Sequence, residues 1–341
     1  MRAYRFDDPR SLDSLQIRNE PTPEPQRGEV LIGVHAVSLN YRDIGQLQGR
    51  QFLTGPTLGL IPCCDGAGEI LAVGEGVSDF KPGDRVISTF HPRWFGGRLP
   101  PSPAKLSYGG TIDGWLTEHK VVSQEAVVRL PDEISFEDGA TLPCAATTAW
   151  AALSGTSPIR AGATVLTLGT GGVSIFALQL AKAMGARVVA TTSSADKAAR
   201  LRALGADAVV NYTEIETWGQ HVRSSVTGGA GVDCVIEVGG PATMGESLRA
   251  VRPGGEVVMI GFLSDANPQV DYMLMKSSFA VIRSIIVGDR ATVEDMVRAW
   301  HGTGLTPVID KVFAFEDARE AFAHLAAARH VGKVVVRVGD R

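Results

Sequence analysis

The chain has 341 residues, enough for two domains or one large one, and its 44% share of hydrophobic residues is sufficient for real cores. The net charge is −4 and no basic run is present, so nucleic-acid and membrane-surface partners are not expected. The N-terminus lacks an apolar signal core and no apolar run reaches the ~18 residues of a membrane span, so we expect a cytoplasmic protein.

The N-terminal part of the chain predicts short strands separated by turns. Turn signals such as Pro25–Gly28 and Lys81–Asp84 interrupt the β-branched runs. The predicted strands are Glu29–Ser38, Gly68–Val73, Arg85–Thr89, Thr117–Val122 and Val127–Arg129. This pattern is typical of an antiparallel, barrel-like domain.

From Thr164 onward the pattern changes, because strands alternate with helices. The predicted strands are Val165–Leu168, Arg187–Thr191, Ala208–Asn211, Val232–Val238, Glu256–Gly261 and Ala280–Val287. The predicted helices lie near residues 172–184, 195–204, 214–226, 242–251 and 292–302. This alternation predicts an α/β fold with an open, doubly wound, mainly parallel sheet. The last segment adds one helix, Phe315–Ala328, and one strand, Lys333–Val338.

The turn after the first of these strands is the most informative part of the sequence. Gly169 allows a sharp turn, Gly171 lets backbone approach a phosphate, and Ser174 takes the third place of G-x-G-x-x-G/A. The helix that follows presents its N–H groups and positive end to an anion. The residues predicted to bind a dinucleotide pyrophosphate are Gly169, Thr170, Gly171, Gly172, Val173 and Ser174. The alternative is a plain tight turn between a strand and a helix.

The end of the second strand of this sheet predicts which nicotinamide cofactor is used. NAD-preferring sites place Asp or Glu there to take the ribose 2′-hydroxyl, whereas this chain has Ser193, Ser194 and Lys197. Hydroxyls and an ammonium favour a 2′-phosphate, so we expect NADPH, with NADH possible if Asp196 turns toward the ribose. The alternative is that Ser194 only caps a helix and Lys197 is a solvated charge.

Several motifs in order resemble those of the medium-chain dehydrogenase/reductase superfamily, most closely its zinc-independent branch of quinone oxidoreductases and enone reductases. The motifs are Ser38–Asp43, Asp65–Ile70, Phe80–Val86, Leu142–Trp150, the glycine loop, Ile260–Phe262, Val287–Arg290 and Gly332–Val335. The resemblance implies a GroES-like antiparallel β-barrel catalytic domain, residues 1–126 and 292–341. It also implies an inserted Rossmann NAD(P)-binding domain, residues 127–291, with the cofactor in the cleft between the two.

The resemblance also raises the question of a zinc ion. Zinc-dependent relatives have a Cys where this chain has Asn40, a His where it has Cys64, and often a Cys where it has Cys144. A site made by Cys64, Cys144 and Asp65 is chemically possible, but the missing His and the poor ligand Asn40 argue against it. We therefore expect no metal. The four cysteines show no disulfide spacing, so reduced thiols are expected.

Without a metal, hydride transfer to an activated acceptor is the expected reaction. In a quinone or an α,β-unsaturated carbonyl the negative charge spreads over the conjugated system, so a few hydrogen-bond donors suffice. By resemblance the catalytic residues are Asn40, Tyr41 and Thr148, with Arg42 as a further candidate donor. The loop His91–Gly97 is a candidate substrate mouth, and its aromatic residues suit a small apolar substrate.

The remaining cofactor contacts are implied by resemblance alone. They are Tyr212, Val238, Gly239, Gly261, Phe262, Leu263, Val287, Gly288, Arg290 and Lys333. The alternative is that the glycines at strand ends serve only turns.

Two further expectations concern assembly and competing functions. The strand Ala280–Val287 is expected at the sheet edge, where an unpaired apolar strand favours a homodimer. The alternative functions are a zinc-type NAD(P)-dependent alcohol dehydrogenase with a metal at Cys64 and Cys144, and a non-enzymatic NADPH-binding protein.

Overall fold

The computed structural model describes residues 1–8, 11–47, 57–102, 106–263 and 269–339. The chain forms two compact units, of which the first joins Met1–Thr147 to Val287–Arg341 and the second is Thr148–Ile286. Within the described ranges, no helix combines the length and the apolar character that a membrane crossing requires.

The strands carry the labels β1 to β15 in chain order. They are β1 (Arg2–Phe6), β2 (Leu15–Asn19), β3 (Glu29–Leu39), β4 (Asp65–Val73), β5 (Arg85–Ser88), β6 (His119–Ser123), β7 (Val127–Arg129), β8 (Thr164–Leu168), β9 (Arg187–Thr192), β10 (Ala208–Asn211), β11 (Val232–Glu237), β12 (Val251–Met259), β13 (Val281–Ser284), β14 (Ile309–Ala314) and β15 (Lys333–Arg337).

The helices carry the labels α1 to α10. They are α1 (Tyr41–Leu47), α2 (Phe136–Ala140), α3 (Thr147–Ser154), α4 (Gly172–Ala183), α5 (Ala195–Ala203), α6 (Trp218–His221), α7 (Pro241–Ala250), α8 (Tyr272–Ser278), α9 (Arg290–Thr303) and α10 (Ala318–Ala326). Short π-helical turns cover Leu142–Ala146 and Val222–Val226, and short 3₁₀ turns cover Leu12–Ser14, Gln124–Ala126 and Phe315–Asp317.

The first unit is built on a sheet to which both ends of the chain contribute. Its strand order is β14-β15-β3-β4-β5-β7, and β6 also pairs with β3. All pairs are antiparallel except β14 with β15, so the antiparallel sheet predicted for the N-terminal part is confirmed. Because β7 pairs with β5, the segment 127–147 belongs to this unit and not to the nucleotide-binding domain in which the sequence analysis placed it.

The core of the first unit follows from the two-residue period of its strands. Along β3 the buried residues alternate with partly exposed ones, with Val30 and Ile32 on the core side. Gly66 in β4 has no side chain because a Cβ there would collide with the ring of the buried Trp115. Gly66, which belongs to the motif Asp65–Ile70, is therefore required for close packing of β4 against Trp115.

The second unit is a parallel sheet in the order β10-β9-β8-β11-β12-β13. Its central strands β8 and β11 are buried almost throughout, as expected for a sheet covered by helices on both faces. The predicted doubly wound parallel sheet is confirmed, with β13 at its edge. The strand order reverses direction between β8 and β11, which is where such sheets bind ligands beyond their carboxyl ends.

Several elements differ from the sequence-based expectation. The strands β1, β2 and β14 and the helices α1, α2, α3 and α8 were not predicted, and the helix expected over 214–226 is α6 followed by a π turn. The predicted strand Ala280–Val287 is only β13, because the backbone leaves the sheet after Ser284 and turns at Val287, whose φ is 53°.

Candidate active site and cofactor site

The glycine loop after β8 has the backbone that the sequence motif predicts. Gly169 has a φ of 73°, which a residue with a Cβ adopts only under strain. Its N–H donates to the carbonyl of Thr191 at 3.0 Å, which ties the turn to β9. Ser174 is buried and its hydroxyl donates to the carbonyl of Leu168 at 2.7 Å, which holds α4 against the end of β8.

Gly171 shows why the loop fits a phosphate. Its φ of −72° is accessible to any residue, and an added Cβ would meet no protein atom within 4 Å. The space beside Gly171 is therefore open, and protein packing does not demand a glycine here. Gly171 is also the N-cap of α4 and no side chain within the described residues caps that helix, so N–H groups at its positive end point to this space. The loop fits a dinucleotide pyrophosphate, with Thr170 buried beside it and Gly172 and Val173 in the first turn of α4.

The end of β9 carries the polar groups expected near the ribose. Ser194 is the N-cap of α5, and its hydroxyl accepts the N–H of Lys197 at 3.3 Å. Ser193 is exposed, and Asp196 is exposed in the first turn of the same helix. Ser194 thus caps α5, as the alternative interpretation of the sequence expected. The cap is compatible with an anion bound next to Ser194, because the N-terminus of a helix also attracts anions.

Glu237, the last residue of β11, was not predicted as a residue of this site. This fully buried carboxylate accepts the N–H groups of Gly239 and Gly240 at 2.8 and 2.9 Å, and the hydroxyls of Thr243, at 2.6 Å, and Ser247. The N-terminus of α7 is therefore neutralised by a carboxylate of the chain itself. A signal was present, since an acid two residues before a Gly-Gly-Pro helix start can satisfy that start.

The other residues predicted to contact the cofactor lie in different settings. Val238 is buried, and Gly261 packs so tightly that a Cβ would collide with the carbonyl of Val238. Tyr212 and Leu263 are each 43% exposed at the ends of β10 and β12, and Phe262 is partly buried.

The predicted residues beyond the sixth strand lie in the first unit. Val287 is buried there, and Gly288 lies so close to Thr292 that a Cβ would come within 2.8 Å of it. Arg290 begins α9 and pairs with Glu125 and, at 3.0 Å, with Glu294.

A second group of polar residues is buried in the first unit, where three neighbouring strands meet. Asn40 directly follows β3, Lys333 begins β15, and Asp65 begins β4. The strand register pairs Val334 with Leu39 and Ser38 with Asp65, so these side chains come from adjacent positions on β15, β3 and β4. We call Asn40, Cys64, Asp65, Cys144 and Lys333 the polar cluster.

Hydrogen bonds fix the amide of Asn40 from both sides. Its Oδ1 accepts from the ammonium of Lys333 at 2.6 Å, and its Nδ2 donates to Asp65 Oδ2 at 2.8 Å and to Cys64 Sγ at 3.4 Å. Lys333 is 3% exposed, and it also donates to the carbonyl of Leu39 at 2.8 Å and lies 3.7 Å from Asp65 Oδ2. By resemblance Lys333 was expected to contact the cofactor, whereas its polar contacts within the described residues include Leu39, Asn40 and Asp65.

The thiol of Cys64 completes the cluster. It donates to Asp65 Oδ1 at 3.1 Å, and burial raises its pKa well above the usual value. Burial also raises the pKa of Asp65, and the charge of Lys333 opposes that rise. The thiols of Cys64 and Cys144 contact each other, and the backbone N–H of Cys144 donates to the Asp65 carboxylate.

Arg42 and Asp43 flank the polar cluster. The guanidinium of Arg42 lies against the sulfur of Cys64 and donates to Tyr108 O at 2.7 Å and to Ser107 Oγ at 3.1 Å. Burial raises the pKa of Asp43 to about 6, and one of its oxygens accepts the N–H of Asn40 at 2.8 Å.

Three side chains of the polar cluster could act as zinc ligands, and their surroundings bear on whether they would. Ligand atoms of Cys64, Asp65 and Cys144 lie within 4.8 Å of one another. However, both Asp65 oxygens already accept hydrogen bonds, the Asn40 amide turns its hydrogens toward the cluster, and the Lys333 ammonium lies 3.7 Å from the carboxylate. A divalent cation would have to displace these protons beside a fixed positive charge.

The predicted catalytic residues lie in both units. Asn40 is inside the polar cluster, and Tyr41 follows it as the first, partly buried residue of α1. Thr148 is 2% exposed in α3 and belongs to the second unit. The loop 91–97 is held to the start of α9, because the N–H groups of Arg290 and Ala291 donate to its carbonyls at 2.9 and 3.2 Å, and it leaves Phe95 49% exposed.

A cavity of about 860 Å³ lies elsewhere in the first unit, between β5, β7 and α9. Its charged lining is paired, as in the contacts of Arg129 with Asp84 at 2.9 Å and of Arg290 with Glu294 at 3.0 Å. Because both signs of charge are present and matched, we assign no ligand to it.

Comparison with known sequences gives matches over most of the chain. Residues 26–132 match the alcohol dehydrogenase GroES-like domain, and residues 172–335 match the zinc-binding dehydrogenase family. A zinc-type alcohol dehydrogenase-like protein of Schizosaccharomyces pombe is 38% identical, over 95% of this chain and 95% of its own. An acryloyl-coenzyme A reductase of Metallosphaera sedula is 32% identical, over 94% of this chain and 96% of its own.

Solved structures share the same architecture. A protein from Sinorhizobium meliloti superposes with a TM-score of 0.92 at 38% identity, covering 99% of this chain and 98% of its own. A mycobacterial protein in complex with NADPH superposes with a TM-score of 0.82 at 25% identity, covering 99% of this chain and 100% of its own. The expected combination of a GroES-like domain with a Rossmann sheet is confirmed.

Proposed function

This chain belongs to the medium-chain dehydrogenase/reductase superfamily and is an NAD(P)-dependent oxidoreductase, and from that premise we propose a zinc-independent, NADPH-dependent reductase of conjugated acceptors. The acceptor is a small apolar quinone or an α,β-unsaturated carbonyl compound. The similarity to an acryloyl-coenzyme A reductase supports a conjugated acceptor, since acryloyl thioesters are of this class.

One observation carries the proposal: a hydrogen-bonded network of side chains involves Asn40 and Cys64, the positions that the resemblance matches to two zinc ligands of the zinc-dependent relatives. Lys333, Asn40 and Asp65 are hydrogen-bonded or paired with one another there, which supports a reaction without a Lewis acid. Without zinc, reduction of an isolated carbonyl would lack the Lewis acid that polarises the carbonyl oxygen. A conjugated acceptor delocalises its own negative charge and needs only hydrogen-bond donors.

In this reaction the chain's own residues bind the cofactor, orient the acceptor and shield the reacting atoms from water. A bound nicotinamide supplies the hydride. The glycine loop and α4 hold the pyrophosphate. Both Nδ2 hydrogens of Asn40 are used within the polar cluster, so its Oδ1 is left to accept from the nicotinamide carboxamide, and the hydroxyl of the adjacent Tyr41 is the donor for the acceptor. Asn40 cannot rotate without breaking its contacts with Lys333 and Asp65, which preorganises it.

A substrate and metal survey tests the proposal. With NADPH we expect turnover of cyclohexenone, of an acryloyl thioester or of a benzoquinone, but not of simple aldehydes or ketones, and no loss after dialysis against a chelator. Stoichiometric zinc that a chelator removes together with activity would instead establish the zinc-type alcohol dehydrogenase, which the 4.8 Å grouping of Cys64, Asp65 and Cys144 favours. Tight NADPH binding without turnover of any acceptor would favour a non-enzymatic protein.

The preference for NADPH over NADH is supported by the end of β9 and has its own test. Ser194→Asp keeps the cap of α5, because Asp caps as well as Ser, but it places a carboxylate beside the expected 2′-phosphate. We expect KM for NADPH to rise about tenfold or more while KM for NADH stays within about twofold. Lys197→Met removes the positive charge alone and should give a smaller loss of the same sign. Equal effects on both cofactors would contradict the proposed 2′-phosphate site.

We further propose a cytoplasmic homodimer that forms through the edge strand. The four cysteines are thiols, which suits a reducing compartment. Among the residues that the structure describes, the edge strand β13 pairs only with β12, and Phe279, Val281 and Ile282 are 72%, 48% and 38% exposed. Tyr272 and Met273 of α8 add exposed apolar surface to the same unit. A second copy would cover these side chains.

A further inference from the structure

Cys64 and Cys144 lie together although they are far apart in the sequence. Cys144 lies in the π-helical turn Leu142–Ala146, a rare conformation that often marks functional positions, and Cys64 lies just before β4. Their sulfur atoms are within 4.8 Å, and the thiols contact each other. Asp65 anchors both, because it accepts the Cys64 thiol at 3.1 Å and the backbone N–H of Cys144.

The two thiols differ in access and in their surroundings. Cys144 is partly exposed, whereas Cys63, Cys64 and Cys234 are buried. An oxidant in solution therefore meets Cys144 first. Cys64 lies directly behind it, with its S–H already aimed at the Asp65 carboxylate, which gives that proton a place to go.

We propose that Cys64 and Cys144 are a reversible thiol-oxidation site, at which a hydroperoxide converts the pair to an intramolecular disulfide. The sulfur of Cys144 attacks the peroxide, the O–O bond breaks, and a sulfenic acid forms as one water or alcohol leaves. The sulfur of Cys64 then attacks that of Cys144, the S–O bond breaks, and the departing hydroxide becomes water with the proton that passes from Cys64 through Asp65. The two thiols lose two electrons and the peroxide gains them.

Formation of the disulfide would alter the polar cluster. Asp65 would lose the Cys64 thiol as a donor, and the Nδ2 of Asn40 would lose its sulfur contact. The oriented amide that the proposed reaction relies on would then be released from one partner. The oxidation site itself does not depend on which acceptor the enzyme reduces, and its readout below is chemical and not catalytic.

The experiment treats the full-length wild-type protein with hydrogen peroxide, blocks remaining thiols with N-ethylmaleimide, and maps peptides by mass spectrometry. We expect the loss of two hydrogens per chain, two fewer blocked thiols, and one cross-link between the peptides that hold residues 63–64 and 144. Dithiothreitol should restore all four thiols.

Variants identify which cysteine of the adjacent pair takes part. Cys64→Ser should abolish the cross-link and leave Cys144 as a sulfenic acid that dimedone traps, whereas Cys63→Ser and Cys234→Ser should retain it. A cross-link that survives in Cys64→Ser, a link between Cys63 and Cys64, or four intact thiols at a peroxide dose that fully oxidises glutathione would overturn the proposal. The wild-type measurement needs no variant to fold, and it stands whether or not the proposed substrate class is correct.

Discussion

At the scale of single residues, the polar cluster depends on side chains that are distant in the sequence and meet through strand pairing. Asn40, Cys64 and Cys144 were each identified as candidate site residues from their motifs, and Asp65 as a possible neighbour. The contact between Lys333 and Asn40, at 2.6 Å, was not predicted, because it depends on the register between β15 and β3. The register depends on pairing between strands about 300 residues apart, so it cannot be predicted from the sequence of either strand alone.

Lys333→Met tests whether the buried charges depend on one another. It leaves Asp65 buried without its cation, and we expect the free energy of unfolding to fall by about 3–5 kcal/mol. Adding Asp65→Asn should recover much of this loss, since no unpaired charge then remains. Urea unfolding of the two single variants and the double variant measures the coupling, and strictly additive losses would refute it.

Lys120 provides a pH-dependent test away from the site. Burial lowers its pKa from 10.5 to about 8 in the folded protein, where its ammonium donates to the carbonyl of Asp113. Between these two pH values the unfolded chain binds more protons, so folded-state stability rises with pH across this window. Relative to Lys120→Met, the wild type should gain about 3 kcal/mol from pH 8 to 10.5.

Urea unfolding at a series of pH values measures this gain. Lys120→Arg is the matched control, because arginine stays charged throughout the window and should show no such rise. A wild-type curve parallel to that of Lys120→Met would contradict the assignment.

At the scale of elements, the bounds of β8 and α4, which the glycine loop joins, were predicted to within one residue. The glycine positions, the apolar periodicity and the pattern at the helix N-terminus all indicate the same strand–turn–helix there. The strands β1 and β2 were missed because both are short and arginines interrupt their apolar residues. Arg2 pairs with Glu118 at 2.6 Å and Arg5 pairs with Glu20, so these charges pair on partly exposed surface instead of marking a loop. Glu237 was missed although its spacing to the Gly-Gly-Pro helix start was a signal, because that spacing alone does not predict that the carboxylate also binds the hydroxyls of Thr243 and Ser247.

Two glycines of the same loop separate folding from binding. Gly171→Ala adds a methyl group where no protein atom lies within 4 Å and where φ is ordinary, so stability should change by less than about 0.5 kcal/mol. That methyl group would occupy the space of the pyrophosphate, and we expect Kd for NADPH to rise about tenfold or more. Calorimetry and thermal unfolding measure the two effects.

Gly169→Ala is the matched comparison. Its φ of 73° penalises a Cβ by about 1–2 kcal/mol, so this variant should lose stability as well. If Gly171→Ala binds NADPH as the wild type does, the loop does not hold the pyrophosphate.

At the scale of the whole molecule, the sequence predicted both architectures, but it placed the start of the second unit near residue 127 instead of 148. No composition change marks that boundary, since β7 and α2 resemble the start of an α/β repeat. Their membership is set by the pairing of β7 with β5 and the contact of α2 with β3 and β4. Such long-range pairing leaves no local trace in the sequence.

The assembly is tested by placing a charge on the edge strand. Ile282→Lys should convert the proposed dimer to a monomer, because a lysine on an apolar edge opposes pairing with a second copy. Sedimentation velocity measures the mass of each form. Leu58→Lys, at a site 72% exposed in the first unit, is the matched control and should leave the dimer intact. A wild-type protein that sediments as a monomer at micromolar concentration would refute the edge-strand dimer.

The sheet that joins both chain ends has a consequence for biosynthesis. The segment 148–286 is continuous along the chain, whereas β3 gains its neighbour β15 only after this whole segment has been translated. Throughout that interval the part of β3 that pairs with β15, residues 36–39, has no native partner on that side, so a nascent chain would depend on chaperones or on rapid completion to avoid wrong pairing. Lys333, which fixes the amide of Asn40, also follows the second unit in the sequence, so the polar cluster would acquire its geometry only after that whole unit has been synthesised.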